Sequence, residues 1–356
     1  MNAMNNVITF RPAVRIDAPE SGAAALITSF AQHRRREDDV FWLKENAELL
    51  NILECTGAAV SEAGLAALEP FYQSVEKRLA FFPQYYRFLL SMALDLEDLG
   101  MPGETGSRIA ATIARQGYAA AELSDLQRME ALRLLARRGH GETVEDGLKD
   151  RLRAFCNRSG TFALPNRKAA YELTHIVFYL SEYGRVDPLL GEQAITSLHF
   201  AGNLAFIEQN SDILAEVCIA LHYAGETPPA LWTAWLERET HLFSVESGDA
   251  VSIADDYHDF LVCNWHESVR GGHAFRKPFS PERMSFSRSA RAGAPLRELS
   301  EALFEQGDAR RADWSATRAQ VGARLSPGTL DIVDTLAGQS THFDAFFEGF
   351  ARAGAQ

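Results

Sequence analysis

The sequence predicts an all-α chain built from repeated helical hairpins, and three observations carry that prediction. Strand signals are nearly missing, with Val7–Phe10 the only plausible short strand. After Ser21, apolar residues recur at three- and four-residue spacing, as in Leu89, Leu90, Ala93, Leu94, Leu96 and again in Leu214, Val217, Cys218, Leu221. That spacing marks amphipathic or buried helices. Finally, apolar helices end at recurring glycines: Gly57, Gly100, Gly139, Gly184, Gly225, Gly271, Gly307 and Gly354. Glycine is the expected residue after a helix because it alone takes the left-handed cap conformation cheaply. The glycines are 36 to 47 residues apart, about 42 on average, the length of two helices and two turns. A single pair could not bury its apolar face, so the pairs must stack on one another.

In chain order, residues 1–21 read as an N-terminal tail and 22–356 as one helical-repeat domain. His33 with Arg34, Arg35 and Arg36 reads as a solvated helix end. Ser61 before Glu62 starts one helix, and Thr143 starts another with acidic residues in its first turn. The segments YYRFLLSMALDLEDLG, YELTHIVFYLSEYG, DILAEVCIALHYAG and DDYHDFLVCNWHESVRG end alike on the recurring glycines. THIVFYL and AEVCIAL are almost continuously apolar, which suits inner helices buried on both flanks. Two stretches leave the repeat. Arg158–Lys168 is a short basic loop, and residues 272–297 are irregular and rich in Pro, Ser and Arg, with six cations against Glu282 alone. A surface loop or a lid attracting an anion both suit that composition.

Six to seven stacked hairpins either run on as an open α-solenoid or close into a ring. In architecture the chain resembles the α/α-toroid superfold of terpene cyclases, prenyltransferases, lanthionine cyclases and many polysaccharide lyases. The resemblance implies a closed ring around a central cavity and stops there, because no acidic or zinc-binding motif of those relatives is present and a superfold does not give a function.

Composition bounds the rest. The chain has 356 residues, 46% apolar and 23% charged, with net charge −13. An acidic chain repels phosphate backbones, which argues against nucleic acid as a partner. There is no apolar targeting segment and no run long enough to span a membrane, and the four cysteines form no CxxC pair. A cytoplasmic protein with reduced thiols is the expectation.

Counting back from the glycines aligns polar residues inside apolar helices. His175 and Glu216 stand nine residues before Gly184 and Gly225; Asp212 and His258 stand thirteen before Gly225 and Gly271. Offsets of nine and thirteen differ by about one helical turn and share a face. Glu172 adds an E-x-x-H pair with His175. His175, Glu216, His258, Asp212 and Glu172 are therefore the candidate catalytic set, with His175, Glu216 and His258 as ligands for Zn²⁺, Fe²⁺ or Mn²⁺. Without metal the same groups could act as general acid and base. Tyr179 and Tyr257 are candidate aromatic walls for a substrate, and Arg276 and Lys277 candidate contacts to an anionic group. Of the other histidines, His199 reads as a core residue, His222 as a cation at a helix end, His266 and His273 as rim residues and His241 as surface. The leading expectation is an enzyme acting on a small or peptide-borne substrate. The alternative is a non-catalytic repeat scaffold that binds a peptide or partner protein.

Overall fold

The computed structural model describes residues 19–141, 147–289, 291 and 293–353. The strand expected at Val7–Phe10, the helix start at Thr143 and the glycine at 354 lie outside them. The described chain is all-α apart from one small ribbon. The first half holds α1 (Pro19–Thr28), a π-helical turn (Ser29–Arg34), α2 (Val40–Cys55), α3 (Glu62–Leu65), α4 (Glu69–Phe81), α5 (Tyr86–Asp98), α6 (Thr105–Gln116), α7 (Asp125–Ala136), α8 (Leu148–Cys156) and α9 (Ser159–Phe162). Then follow α10 (Arg167–Leu180), α11 (Glu192–Glu208), α12 (Ser211–Tyr223), α13 (Ala230–Leu242) and α14 (Tyr257–Val269). The chain ends in α15 (Pro295–Gln306), α16 (Trp314–Val321), α17 (Pro327–Gln339) and α18 (Phe343–Ala351). None of the described helices is long and apolar enough to cross a membrane.

The glycine register is a property of the backbone. Gly57, Gly100, Gly139, Gly184, Gly225, Gly271 and Gly307 all have positive φ, from +49° to +109°. The first six follow α2, α5, α7, α10, α12 and α14. Five of these helices close with the same bond, in which the residue after the glycine donates to the carbonyl five positions back. Ala58 reaches Leu53, Met101 Leu96, His140 Leu135, Glu226 Leu221 and Gly272 Glu267, all at 2.8–3.0 Å. This is the cap that a left-handed glycine permits. Helix α10 is the exception. It turns earlier, through Glu182 at φ +49°, and Tyr183 donates to Phe178 at 2.8 Å.

These six helices contact one another in sequence: α2 with α5, α5 with α7, α7 with α10, α10 with α12 and α12 with α14. Helix α14 in turn contacts α2. Helices α4, α6, α11 and α13 also pack against members of this series. Side-chain size sets the closeness of this packing: a Cβ on Gly202 of α11 would lie 2.3 Å from the Trp232 ring of α13. The pattern changes after α14, where α15, α17 and α18 pack on α11. Gly307 therefore ends a helix outside the series of six.

Two local expectations are corrected. Ser61 does cap α3, accepting from the Gly64 N–H at 3.2 Å. Arg34, however, is fully buried and is no solvated helix end. Its guanidinium donates to Glu45 at 2.9 Å, to both oxygens of Asp255 at 2.8 and 2.9 Å, and to the Met284 carbonyl at 2.6 Å. It thereby joins the π-helical turn, α2, the approach to α14 and a two-stranded antiparallel ribbon. That ribbon, β1 (Ser244–Ser247) with β2 (Met284–Ser287), pairs Val245 with Phe286 and was not foreseen. Its strands are only four residues each, too short to stand out in the sequence, and the register is fixed by the alternation of β2, which buries Met284 and Phe286.

Candidate functional site

The sequence places chemistry in the N-terminal halves of α12 and α14. Asn210 caps α12, its side chain accepting from the Ile213 N–H at 3.1 Å. This fixes Asp212 in the first turn and Glu216 one turn on. His258 is the second residue of α14. One ligand atom from each of Asp212, Glu216 and His258 lies within 4.8 Å of the others. The closest measured pair, His258 Nε2 and Asp212 Oδ1, is 3.4 Å apart. Two ligands about 2 Å from one metal at a tetrahedral angle are roughly 3.3 Å apart.

The neighbouring helices hold these groups in place. From α10, the Tyr171 hydroxyl donates to Asp212 Oδ2 at 2.5 Å and the Thr174 hydroxyl to Glu216 Oε2 at 2.5 Å. From α2, Glu48 Oε2 stands 3.3 Å from His258 Nδ1 and accepts from the Tyr257 hydroxyl at 3.0 Å. Lys44 stands 3.2 Å from the other oxygen of Glu48. A carboxylate behind an imidazole fixes which ring nitrogen faces the ligand, here Nε2. Two buried atoms of the cluster make no hydrogen bond among the described residues, Asp212 Oδ1 and His258 Nδ1, and of these Asp212 Oδ1 is a free acceptor. The floor is buried, with Asp212 and Glu216 at 5% and 2% exposure. The imidazoles of His258 and His175 are about a third exposed, so solvent reaches the cluster.

Electrostatics follow from this layout. Burial alone would lower His258, but Asp212 and Glu48 on either side raise it well above its ordinary value, so the imidazolium is favoured. Burial would raise Asp212 and Glu48, and the facing His258 outweighs it, holding both below the usual carboxylate range. Glu216 goes the other way: burial, then the negative charge of Asp212, raise it in spite of His175. The four groups thus divide into a cation, two carboxyls held below the ordinary range and one, Glu216, raised above it.

The remaining expected residues fall in several places. His175 lies 3.7 Å from Glu216, but its Nδ1 faces the Tyr171 carbonyl at 2.8 Å and so carries the hydrogen. The three-donor group contains Asp212 in its stead. On α10 it is Thr174, one residue before His175, that makes the hydrogen bond to Glu216. Glu172 forms no hydrogen bond or ion pair with the described residues. Tyr257 reaches the site through Glu48. Tyr179 is buried deeper, edge-on to His175 at 6.0 Å and beneath the Arg133 guanidinium. Arg276 and Lys277 line a separate cavity with His241 and His273.

From the basic loop it is Arg288 that reaches the cluster's edge, donating to Asp259 at 2.5 Å and also to Ser211. His266 is fully buried, not at a rim. Burial, then His266 and Arg270, hold His222 below its ordinary value, against a role as a cation. His199 is a core residue, stacked on His342 at 3.9 Å.

Sequence reasoning missed Glu48 and Lys44, although a signal existed. They stand nine and thirteen residues before Gly57, the same two offsets that picked out Glu216 and Asp212. Tyr171 likewise stands thirteen before Gly184. A family model for a domain of unknown function (DUF6902) matches residues 4–353. The chain belongs to the DUF6902 family. No curated protein and no solved structure matches it.

Proposed function

We propose that this DUF6902 chain is an enzyme whose reaction centre is the Asp212–Glu216–His258 cluster, and that the cluster holds a divalent cation. The observation that carries the reading is the buried, unpartnered Asp212 Oδ1 facing His258 Nε2, with Glu48 behind the imidazole. Two carboxylates and one imidazole suit Zn²⁺, Fe²⁺ or Mn²⁺. Three protein ligands leave a position for water or substrate. A bound cation would polarise a substrate oxygen or lower the pKa of its water. Tyr171 and Thr174 hold the outer carboxylate oxygens, Glu48 orients the imidazole, and His175 lines the solvent side.

A metal-free acid/base reading has one observation in its favour, the raised pKa of Glu216, which suits a general acid. The contact cycle from α2 to α14 and back supports an α/α-toroid arrangement with this cluster facing its interior. The localised cluster favours an enzyme over a scaffold, whose groove would spread its polar contacts across many repeats. A small or peptide-borne substrate and a cytoplasmic setting complete the proposal.

Elemental analysis of the purified protein, with calorimetric titration of chelator-treated protein by Zn²⁺ and Mn²⁺, tests it. About one equivalent of cation is expected, lost in Asp212→Asn and in His258→Ala. Failure of the wild type to bind either cation would overturn the metal reading, and so would variants that bind as tightly as it does.

A further inference from the structure

We propose that a second cavity, between α13, α14 and residues 272–277, is a binding site for a small phosphate monoester. The cavity holds about 220 Å³. Its wall on α14 is formed by Phe260, Asn264 and Glu267. At about 100° per residue these lie roughly 180–240° around the helix from His258. The cavity therefore sits behind the metal cluster, and its occupancy does not depend on that reading.

Its lining carries a formal excess of one positive charge, Arg270, Arg276 and Lys277 against Glu237 and Glu267. Glu267 is held by Arg270 at 2.9 and 2.7 Å, and Glu237 by the same guanidinium at 3.2 Å. Arg276 has no carboxylate partner among the described residues. Lys277 Nζ donates only to the His241 carbonyl, at 2.8 Å. The imidazoles of His241 and His273 also stand without partners there. On a chain of net charge −13, a lining of three cations against two carboxylates, with two imidazoles beside them, is a local exception that attracts anions.

The segment is also held in a costly shape. Phe275 has φ +52°, a region that bulky residues avoid. Its N–H donates to Asn264 Oδ1 at 2.6 Å, pinning the loop to α14. The strain fixes the direction in which Arg276 and Lys277 leave the backbone, and such strain gathers at ligand-binding segments. A phosphate monoester offers three terminal oxygens to these donors. Arg276 would engage two of them with its planar fork and Lys277 the third as a point charge. Phe260 supplies an apolar wall for the ester carbons. The volume admits an ester of a few carbons and excludes a nucleic-acid strand.

Calorimetric titration of the full-length protein with glycerol 3-phosphate tests the site, with glycerol, inorganic phosphate and succinate as parallel probes. The ester is expected to bind saturably and more tightly than the three other probes. Arg276→Ala/Lys277→Ala should weaken it at least tenfold while leaving divalent-cation binding intact. Asp212→Asn should leave ester binding unchanged, so failure of one site is distinguishable from failure of the other. No saturable binding, succinate or inorganic phosphate binding as tightly as the ester, or an unaffected double variant would each overturn the proposal.

Discussion

Asp95 on α5 and Asp212 on α12 are both buried acids on helices of the series of six, yet one is closed and the other open. Asp95 has both oxygens satisfied, by Arg137 at 2.7 Å and by Ser91 at 3.0 Å. Burial still raises its pKa, with Arg137 opposing the rise. Asp212 has one oxygen bonded to Tyr171 and one that only faces an imidazole. Burial is alike in the two places, although the pKa of Asp95 is raised and that of Asp212 lowered. The free lone pair differs, and it separates a carboxylate that braces the fold from one that can take a ligand.

Substitution at Arg137 should show the largest effect. Arg137→Ala strands Asp95 and removes partners from Asp98 and Glu54, so denaturant unfolding should show a loss of about 3–5 kcal/mol. Asp212→Asn keeps the hydrogen bond from Tyr171 and should change metal-free stability by no more than about 1 kcal/mol. Equal losses in the two variants would erase the distinction. Cation binding reverses the order: at a hundredfold excess over Kd, wild-type protein should gain about 2.7 kcal/mol of stability, and Asp212→Asn none.

Glu48→Gln is a smaller perturbation. It leaves all three donors in place and loosens only the orientation of His258, so cation affinity should fall by roughly 10–100-fold in calorimetry. An unchanged affinity would remove Glu48 from the centre.

Acidity gives the finest test. The raised His258 pKa contributes stability that is complete below its ordinary value of 6.5 and lost as pH rises through the folded value. The lowered Asp212 and Glu48 contribute stability present above 3.8 and 4.5 and lost as pH falls through their folded values. The metal-free cluster therefore contributes most between about pH 4.5 and 6.5. A cation must displace the His258 proton, so affinity should climb with pH above that window and release protons to the buffer. Titrations in buffers of different ionisation enthalpy would measure the release. A pH-independent affinity would take His258 out of the ligand set.

Much of this was legible in one dimension. Left-handed glycines mark helix ends through local backbone chemistry, so their spacing exposed the hairpins, and counting from them found Asp212, Glu216 and His258. On α10 the count reaches Tyr171, which bonds Asp212, but falls one residue past Thr174, the side chain that bonds Glu216. Arg34 read as solvent-exposed because its partners, Glu45, Asp255 and Met284, are brought to it by tertiary packing alone. The ribbon was hidden for the same reason. Arg276 and Lys277 were visible as charges, but only the fold shows that they face a cavity of their own.

The contact between α14 and α2 has a consequence for synthesis. It brings Tyr257 and His258 against Glu48 from about 209 residues away, so the imidazole meets its orienting carboxylate only after nearly three quarters of the chain exists. An unfinished polypeptide carries Asp212 and Glu216 without their third donor and has little means of trapping a cation early. The three donors come together only once α14 has packed against α2, and cation occupancy would report that this contact has formed.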